Sequence, residues 1–85
     1  MDAHEVARRA SVLPESFAGR VSTETLEGLR LMEEGGEYGE LTAELAAALA
    51  STRAVVTPAE QRELRELLAA TDMPTSLADQ LEVQR

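Results

Sequence analysis

Apolar residues in this chain recur at the spacing of an α-helix, and residues that favour β-strands are scarce. The sequence has no isoleucine, six valines, one phenylalanine and one tyrosine, and its only β-branched cluster is Val55-Val56-Thr57. Alanine and leucine, both strong helix formers, make up most of the apolar residues. The apolar positions are separated by steps of three and four residues, the pattern of an amphipathic helix. We therefore expect an all-α fold.

Capping residues and helix breakers divide the chain into helices. The clearest beginning is Thr57-Pro58-Ala59-Glu60, with a hydroxyl at the N-cap, proline at the first helical position and glutamate at N3. The clearest end is Gly35-Gly36, because glycine readily adopts the positive φ that follows many helices. The expected helical ranges are 3–13, 15–18, 23–34, 37–51, 58–72 and a short one from 76. They predict a single domain, residues 1–85, folded as a four- to five-helix bundle with short connections.

Helical spacing also predicts the core and several local contacts. Two arginines are expected to pair along their own helices, Arg30 with Glu27 and Glu34, and Arg62 with Glu66. Asp2 is expected to cap the first helix, Ser22 or Thr23 the helix that starts near residue 23, and Thr75 or Ser76 the last helix. Residues 84–85 are expected to fray. The expected core residues are Val6, Ala10, Leu13, Phe17, Leu26, Leu29, Met32, Tyr38, Leu41, Leu45, Leu49, Leu64, Leu67, Leu68, Leu77 and Leu81.

Charge and composition narrow the range of partners. The net charge is −8, and all eight basic residues are arginine. This balance argues against nucleic acid or an anionic membrane as partner, since both favour clustered positive charge. The chain has no cysteine, its N-terminus is acidic rather than a signal peptide, and no apolar run approaches the ~18 residues of a membrane span. We expect a cytoplasmic protein.

The residues that could carry chemistry have simpler structural explanations. His4, the only histidine, lies in the first helical turn, where a solvated side chain is expected. The glutamates of residues 33–44 match no calcium-binding motif, so a solvated face is preferred over a metal site. Thr75-Ser76-Leu77 resembles the Asp-Ser-Leu attachment motif of acyl carrier proteins, but a helix-capping hydroxyl accounts for it. We predict no catalytic residue, no cofactor and no metal, and hence no enzyme.

The negative charge is concentrated in one part of the chain. Residues 24–44, here called the acidic segment, contain seven acidic residues and one arginine, so they carry −6 of the net charge. Dense like charge destabilises a fold by self-repulsion, whereas it speeds encounters with a cationic partner. Solvated helix ends, with Tyr38 in the core, are the structural alternative. The predicted partner-binding residues, here called the candidate site, are Glu33, Glu34, Glu37, Tyr38, Glu40 and Glu44.

Part of this sequence resembles a known family. The turn Leu31-Met32-Glu33-Glu34-Gly35-Gly36-Glu37-Tyr38-Gly39-Glu40 is similar to the apolar–acidic–Gly–Glu–aromatic turn of small helical immunity proteins of the MafI type. The similarity continues through the helix of Leu41, Leu45 and Leu49 to Val55-Val56-Thr57-Pro58-Ala59-Glu60, and it covers about residues 21–81. It implies a helical cytoplasmic protein that binds and blocks a cognate bacterial toxin domain, often a basic nuclease.

Together, the acidic segment and the resemblance predict a non-enzymatic immunity protein. It would bind its toxin domain as a one-to-one heterodimer and cover the toxin's active site. The alternative is a small adaptor or regulatory helical domain, or a homodimeric bundle, with no toxin partner. A carrier protein or an enzyme would require modification at Ser76 or a bound metal.

Overall fold

The helix Tyr38–Ser51 lies at the centre of the fold. The computed structural model describes all 85 residues. Along the chain the elements are α1 (Ala3–Ala10), α2 (Leu13–Ser16), a 3₁₀ turn (Ala18–Arg20), α3 (Thr23–Glu34), α4 (Tyr38–Ser51), β1 (Val55–Val56), α5 (Pro58–Ala70), α6 (Ser76–Asp79) and β2 (Glu82–Val83). The central helix α4 contacts α1, α3, α5 and α6. The expected all-α helical bundle is confirmed, with four long helices and two of a single turn, and none of them has the length and apolarity required to cross a bilayer.

Three of the long helices begin at the caps that the sequence predicts. The side chain of Asp2 accepts a hydrogen bond from the Glu5 amide, at 2.8 Å. Ser22 begins α3 by accepting one from the amide of Thr25, at 3.1 Å. At α5 the Thr57 hydroxyl accepts from the Glu60 amide and the Glu60 carboxylate accepts from the Thr57 amide, which completes the expected capping box. The cap expected for α6 is wrong, since no side chain caps that helix.

The three longest helices end in the same way. After each one, a residue with positive φ turns the chain, at Gly36, Arg53 and Asp72. In each case its amide and the next one donate to carbonyls of the last helical turn, as Gly36 does to Glu33 and Glu37 does to Met32. The sequence predicts only the first of these turns, because arginine and aspartate rarely indicate a left-handed residue.

The core lies between α4 and the helices around it. Most of the expected core residues are buried, whereas Leu26, Met32, Tyr38 and Leu77 are only partly so. Thr42 is buried as well, and its hydroxyl donates to the carbonyl of Tyr38 at 2.8 Å, so no buried polar side-chain atom is left without a partner. The core cluster comprises Val6, Ala10, Leu13, Phe17, Leu29, Leu41, Leu45, Leu49, Val56, Leu64, Leu67, Leu68, Ala78 and Leu81.

A short parallel strand pair closes the C-terminal end of the fold. In β1 and β2, Val55 pairs with Glu82 and Val56 pairs with Val83. The amide of Gln84 then donates to the Val56 carbonyl at 2.8 Å, so the expected fraying at residue 84 is wrong for its backbone. The pairing depends on α5 and α6, which bring the chain back beside β1. Each strand is only two residues long, too short to show a strand pattern in the sequence.

All but one of the ion pairs join different elements of the fold rather than neighbours along one helix. Arg9 of α1 binds Glu63 and Glu66 of α5, and it also binds Glu5 within its own helix. The expected pairing of Arg30 with Glu27 and Glu34 is wrong, because its guanidinium is turned to Glu15. The expected pair of Arg62 with Glu66 is also absent, since Glu66 is held by Arg9. In both cases a partner brought close by tertiary packing, Glu15 for Arg30 and Arg9 for Glu66, replaces the neighbour along the helix.

Candidate protein-binding surface

The turn between α3 and α4 places five of the six candidate-site residues at two adjoining helix ends. Glu33 and Glu34 form the last turn of α3, and Glu37 is the N-cap residue of α4. The reversal depends on Gly36, whose φ of 70° is disfavoured for residues with a side chain. The turn at Gly36 therefore brings these residues of the candidate site together. Glu40 lies just beyond the turn, in the first turn of α4.

None of the seven carboxylates in the acidic segment takes part in an ion pair. The salt bridges of the fold join Arg9, Arg20, Arg30 and Arg65 to acidic residues outside residues 24–44. Arg30 is the only basic residue of the segment, and it is used to bind Glu15 of α2. In the folded protein, no arginine therefore forms an ion pair with the carboxylates of this segment. The seven are Glu24, Glu27, Glu33, Glu34, Glu37, Glu40 and Glu44.

Helix ends account for part of this acidity but not for all of it. Glu40 lies in the first turn of α4, where the helix dipole favours a negative side chain. Glu33 and Glu34 lie in the last turn of α3, where the same dipole disfavours one, and no basic residue lies in that turn. The two acids at the end of α3 therefore have no stabilising role in their own helix.

Tyr38 faces a different side of α4 from Glu40. The two residues are separated by roughly 160° around the helix, at about 100° per residue. Tyr38 is partly buried against the core and lines a cavity with Met1, Val6 and Ala70. The structure thus separates Tyr38 from Glu40, although the two are close in sequence.

Glu40 and Glu44 border an apolar groove of about 370 Å³. Ala43 and Ala47 of α4 form part of its lining, and their small side chains keep it open. Larger apolar side chains reach it from three other parts of the fold. We call this depression the methionine groove, and its lining comprises Met32, Ala43, Ala47, Met73 and Leu77 with Glu40 and Glu44.

Helix termination places two of the groove's apolar side chains. Met32 lies in the last turn of α3, and its carbonyl accepts from the Glu37 amide at 2.9 Å. Met73 follows the positive-φ residue Asp72, and its amide donates to the Leu68 carbonyl at 2.9 Å. Helical spacing in the sequence places Met32 and Leu77 in the core and overlooks Met73. The position of Met73 follows from the turn at Asp72, for which the sequence offers no glycine.

Close approach of α4 to the end of α5 brings Met73 to the groove. A Cβ on Gly39 would lie 3.0 Å from the Thr71 Cβ and 3.3 Å from the Met73 Cγ. The missing side chain at position 39 therefore lets the segment after α5 pack directly on the first turn of α4. The same segment leads into α6, which contributes Leu77.

The perturbed ionisable groups lie elsewhere, between α5 and the N-terminal helices. Hydrogen bonds from Arg20, with smaller help from the Thr57 backbone, lower the pKa of Glu60 to about 2. Hydrogen bonds to Glu63 and Glu66 raise the pKa of the Arg9 guanidinium. Each group is satisfied by a charged partner across a helix contact, so both have a structural role.

The remaining candidates for chemistry are isolated from one another. His4 is exposed in the first turn of α1, and Ser76 is exposed at the start of α6. The fold brings no three histidine or acidic side chains into an arrangement that could hold a metal ion. The surface features of the fold are thus the unpaired acids and the grooves beside them.

Comparison with known proteins adds no relative. No protein-family model, no curated protein sequence and no solved structure matches the chain.

Proposed function

We propose that this protein binds a basic protein partner through the acidic segment, and that the partner is a cognate bacterial toxin domain. The observation that carries the proposal is the absence of any ion pair for the seven acids of residues 24–44. Their only local arginine, Arg30, is committed to Glu15. The carboxylates are therefore available to a partner without breaking any internal contact.

Electrostatic steering supplies the physical reason for this arrangement. A concentrated charge of one sign raises the association rate with an oppositely charged partner by about 10–10³. A toxin that acts on nucleic acid has a cationic groove, and helix-borne carboxylates can occupy the places of phosphates in it. Inhibition then follows from occlusion, and the immunity protein needs no catalytic group of its own.

A second candidate function rests on an apolar side chain in the same segment. Leu31 is 68% exposed in the last turns of α3, next to the unpaired Glu33 and Glu34. An exposed leucine is what an adaptor domain or a homodimer would bury. Sedimentation at micromolar concentration tests the homodimer, because self-association would double the mass, whereas an immunity protein or an adaptor without its partner would remain a monomer.

Protection from the toxin is the decisive experiment. If a gene next to this one encodes a large secreted protein with a basic C-terminal domain, that domain would be expressed with and without this protein. Growth and association kinetics would then be measured. Protection by the unaltered chain is expected. The double variant Glu37→Arg/Glu40→Arg should slow association and weaken its salt dependence.

A charge reversal outside the segment supplies the control. Glu82 is exposed in β2 and makes no ion pair, so Glu82→Arg should leave association nearly unchanged. Circular dichroism would verify the fold of each variant. If the double variant protects as well as the unaltered chain, the acidic segment is not the binding surface.

A further inference from the structure

We infer that the methionine groove receives one face of a basic amphipathic helix from the partner. This inference rests on the proposed function and specifies the form in which the partner presents its charge. The groove combines a small-residue base, flexible apolar sides and an acidic border. Each of these three properties selects a different part of the ligand.

The base and sides of the groove favour apolar side chains that lie along one face of a helix. Ala43 and Ala47 are one helical turn apart on α4, so their face offers a shallow channel along the helix. A partner helix can place side chains at its own i and i+4 positions over that channel. An apolar channel of about 370 Å³ has room for a few aliphatic side chains rather than for a domain.

Methionine sides give the channel adaptability. Met32 and Met73 reach it from the ends of α3 and α5, and both are only partly buried. Methionine is unbranched and polarisable, so it repacks around partner side chains of different shape. The groove can therefore accept an aliphatic face without a unique complementary shape.

The border of the groove selects positive charge beside the apolar face. Glu40 and Glu44 lie one turn apart along the border, and neither has an internal ion-pair partner. Lysine or arginine flanking the apolar face of a bound helix would meet these carboxylates at the same spacing. Desolvation beside the apolar side chains would strengthen such contacts relative to exposed pairs.

The other grooves lack this combination of properties. The cavity beside Phe17 is bordered by Arg9, Glu60 and Glu63, whose charges are already neutralised by ion pairs. The cavity beside Tyr38 has no charged side chain in its lining. Only the methionine groove joins an apolar channel to unpaired carboxylates, which is why a basic amphipathic helix is its best-matched occupant.

A designed peptide tests the inference before the partner is identified. The probe is a labelled helical peptide of leucine, alanine and lysine with all leucines on one face, compared with a peptide of identical composition in permuted order. Fluorescence anisotropy would be measured at about 0.05 and 0.5 M NaCl, since exposed charge contacts are screened at the higher salt. The amphipathic peptide should bind about tenfold or more tightly than the permuted one.

Two sets of variants locate the binding. Ala47→Trp fills the channel and should weaken peptide binding about tenfold or more, which corresponds to ~1.4 kcal/mol. Ala69→Trp adds the same side chain to an exposed alanine of α5 outside every groove, and it should change nothing. Glu40→Gln/Glu44→Gln should weaken binding mainly at low salt. Melting curves verify that each variant folds.

The outcomes separate this inference from the proposed function. Equal binding of both peptides, or unchanged binding to Ala47→Trp, overturns the groove as a helix site. Self-association of the free protein that is lost in Ala47→Trp also overturns it, since the occupant would then be a second copy. If Ala47→Trp still neutralises the toxin while Glu37→Arg/Glu40→Arg does not, the acidic surface stands and the groove is not used.

Discussion

Arg20 holds both carboxylate oxygens of Glu60, with its two terminal nitrogens at 2.8 and 2.7 Å from them. The same carboxylate accepts the Thr57 amide, and the guanidinium lies 4.4 Å from the centre of the Phe17 ring and donates to the Val55 carbonyl. One ion pair thus links the 3₁₀ turn Ala18–Arg20, the strand β1 and the start of α5. It fastens the N-terminal part of the chain to the helix that begins at Pro58.

Loss of this carboxylate is expected to destabilise the fold. Glu60→Ala removes both the Arg20 contact and half of the capping box, at a cost of about 1–3 kcal/mol. Urea unfolding followed by circular dichroism measures the change. Arg62→Ala is a matched control on the same helix, because Arg62 is exposed and unpaired, and it should shift stability by less than about 0.5 kcal/mol. Similar effects for the two variants would argue against the Arg20–Glu60 link.

Acid should weaken the same link in a defined range. Folding lowers the pKa of Glu60 from 4.5 to about 2, so its stabilising contribution is complete above pH 4.5 and is lost as the pH falls towards 2. The unfolding free energy of the unaltered protein should therefore fall more steeply between these values than that of Glu60→Gln. Parallel curves for the two proteins would show that Glu60 titrates normally in the folded state.

Two glycines should respond to alanine with opposite signs. Gly28 lies within α3 with no atom near the position of an added Cβ, so Gly28→Ala should stabilise the protein by about 0.5–1 kcal/mol through helix propensity. Gly39→Ala gains the same propensity but forces α4 away from Thr71, and a net loss of about 1 kcal/mol is expected. Thermal melting of both variants measures the difference. A stabilising Gly39→Ala would mean that the end of α5 yields readily.

Arg53 should be improved by glycine. Its φ of 56° is unfavourable for a residue with a side chain, and it makes no ion pair that would offset the cost. Arg53→Gly is expected to stabilise the fold by about 0.5–1 kcal/mol. Arg62→Gly, within α5, should instead destabilise it by about 1 kcal/mol. Chemical unfolding of the pair checks the contrast, and destabilisation by Arg53→Gly would point to a contact made by the arginine.

Glutamates on either side of the Gly36 turn should also differ in sign. Glu34 ends α3, so Glu34→Gln removes an unfavourable charge and should stabilise by about 0.3–1 kcal/mol. Glu40 lies in the first turn of α4, so Glu40→Gln should destabilise by a similar amount. Both effects should shrink at high salt. A destabilising Glu34→Gln would show that this carboxylate has a role within the fold.

The sequence predicts the parts of this fold that depend on close neighbours along the chain. The caps at Ser22 and Thr57 and the turn at Gly36 follow from local residue chemistry and are confirmed. The strand pair and the ion-pair partners of Arg9 and Arg30 depend on residues far apart in sequence, so periodicity does not reveal them. The candidate site likewise combines features that the sequence predicts with features that it does not.

At the candidate site, the distribution of charge along the sequence locates the carboxylates. It does not reveal the methionine groove that Glu40 and Glu44 border. The sequence places Tyr38 among the acids, whereas the helix turns it to another side. It also omits Met73, because a left-handed aspartate before it has no sequence signature. Side-chain direction at the candidate site is therefore set by helix rotation and by turns that only the folded chain reveals.

Met32 lies in the last turn of α3 and Met73 follows α5, so neither is part of the buried core cluster. The shape of their groove can therefore change without changing the packing of the core. Residues 35–36 and 72 direct these side chains without being part of the core cluster. Substitutions at these turn residues alone would therefore reshape the groove, while the core leucines of α4 and α5 stay as they are.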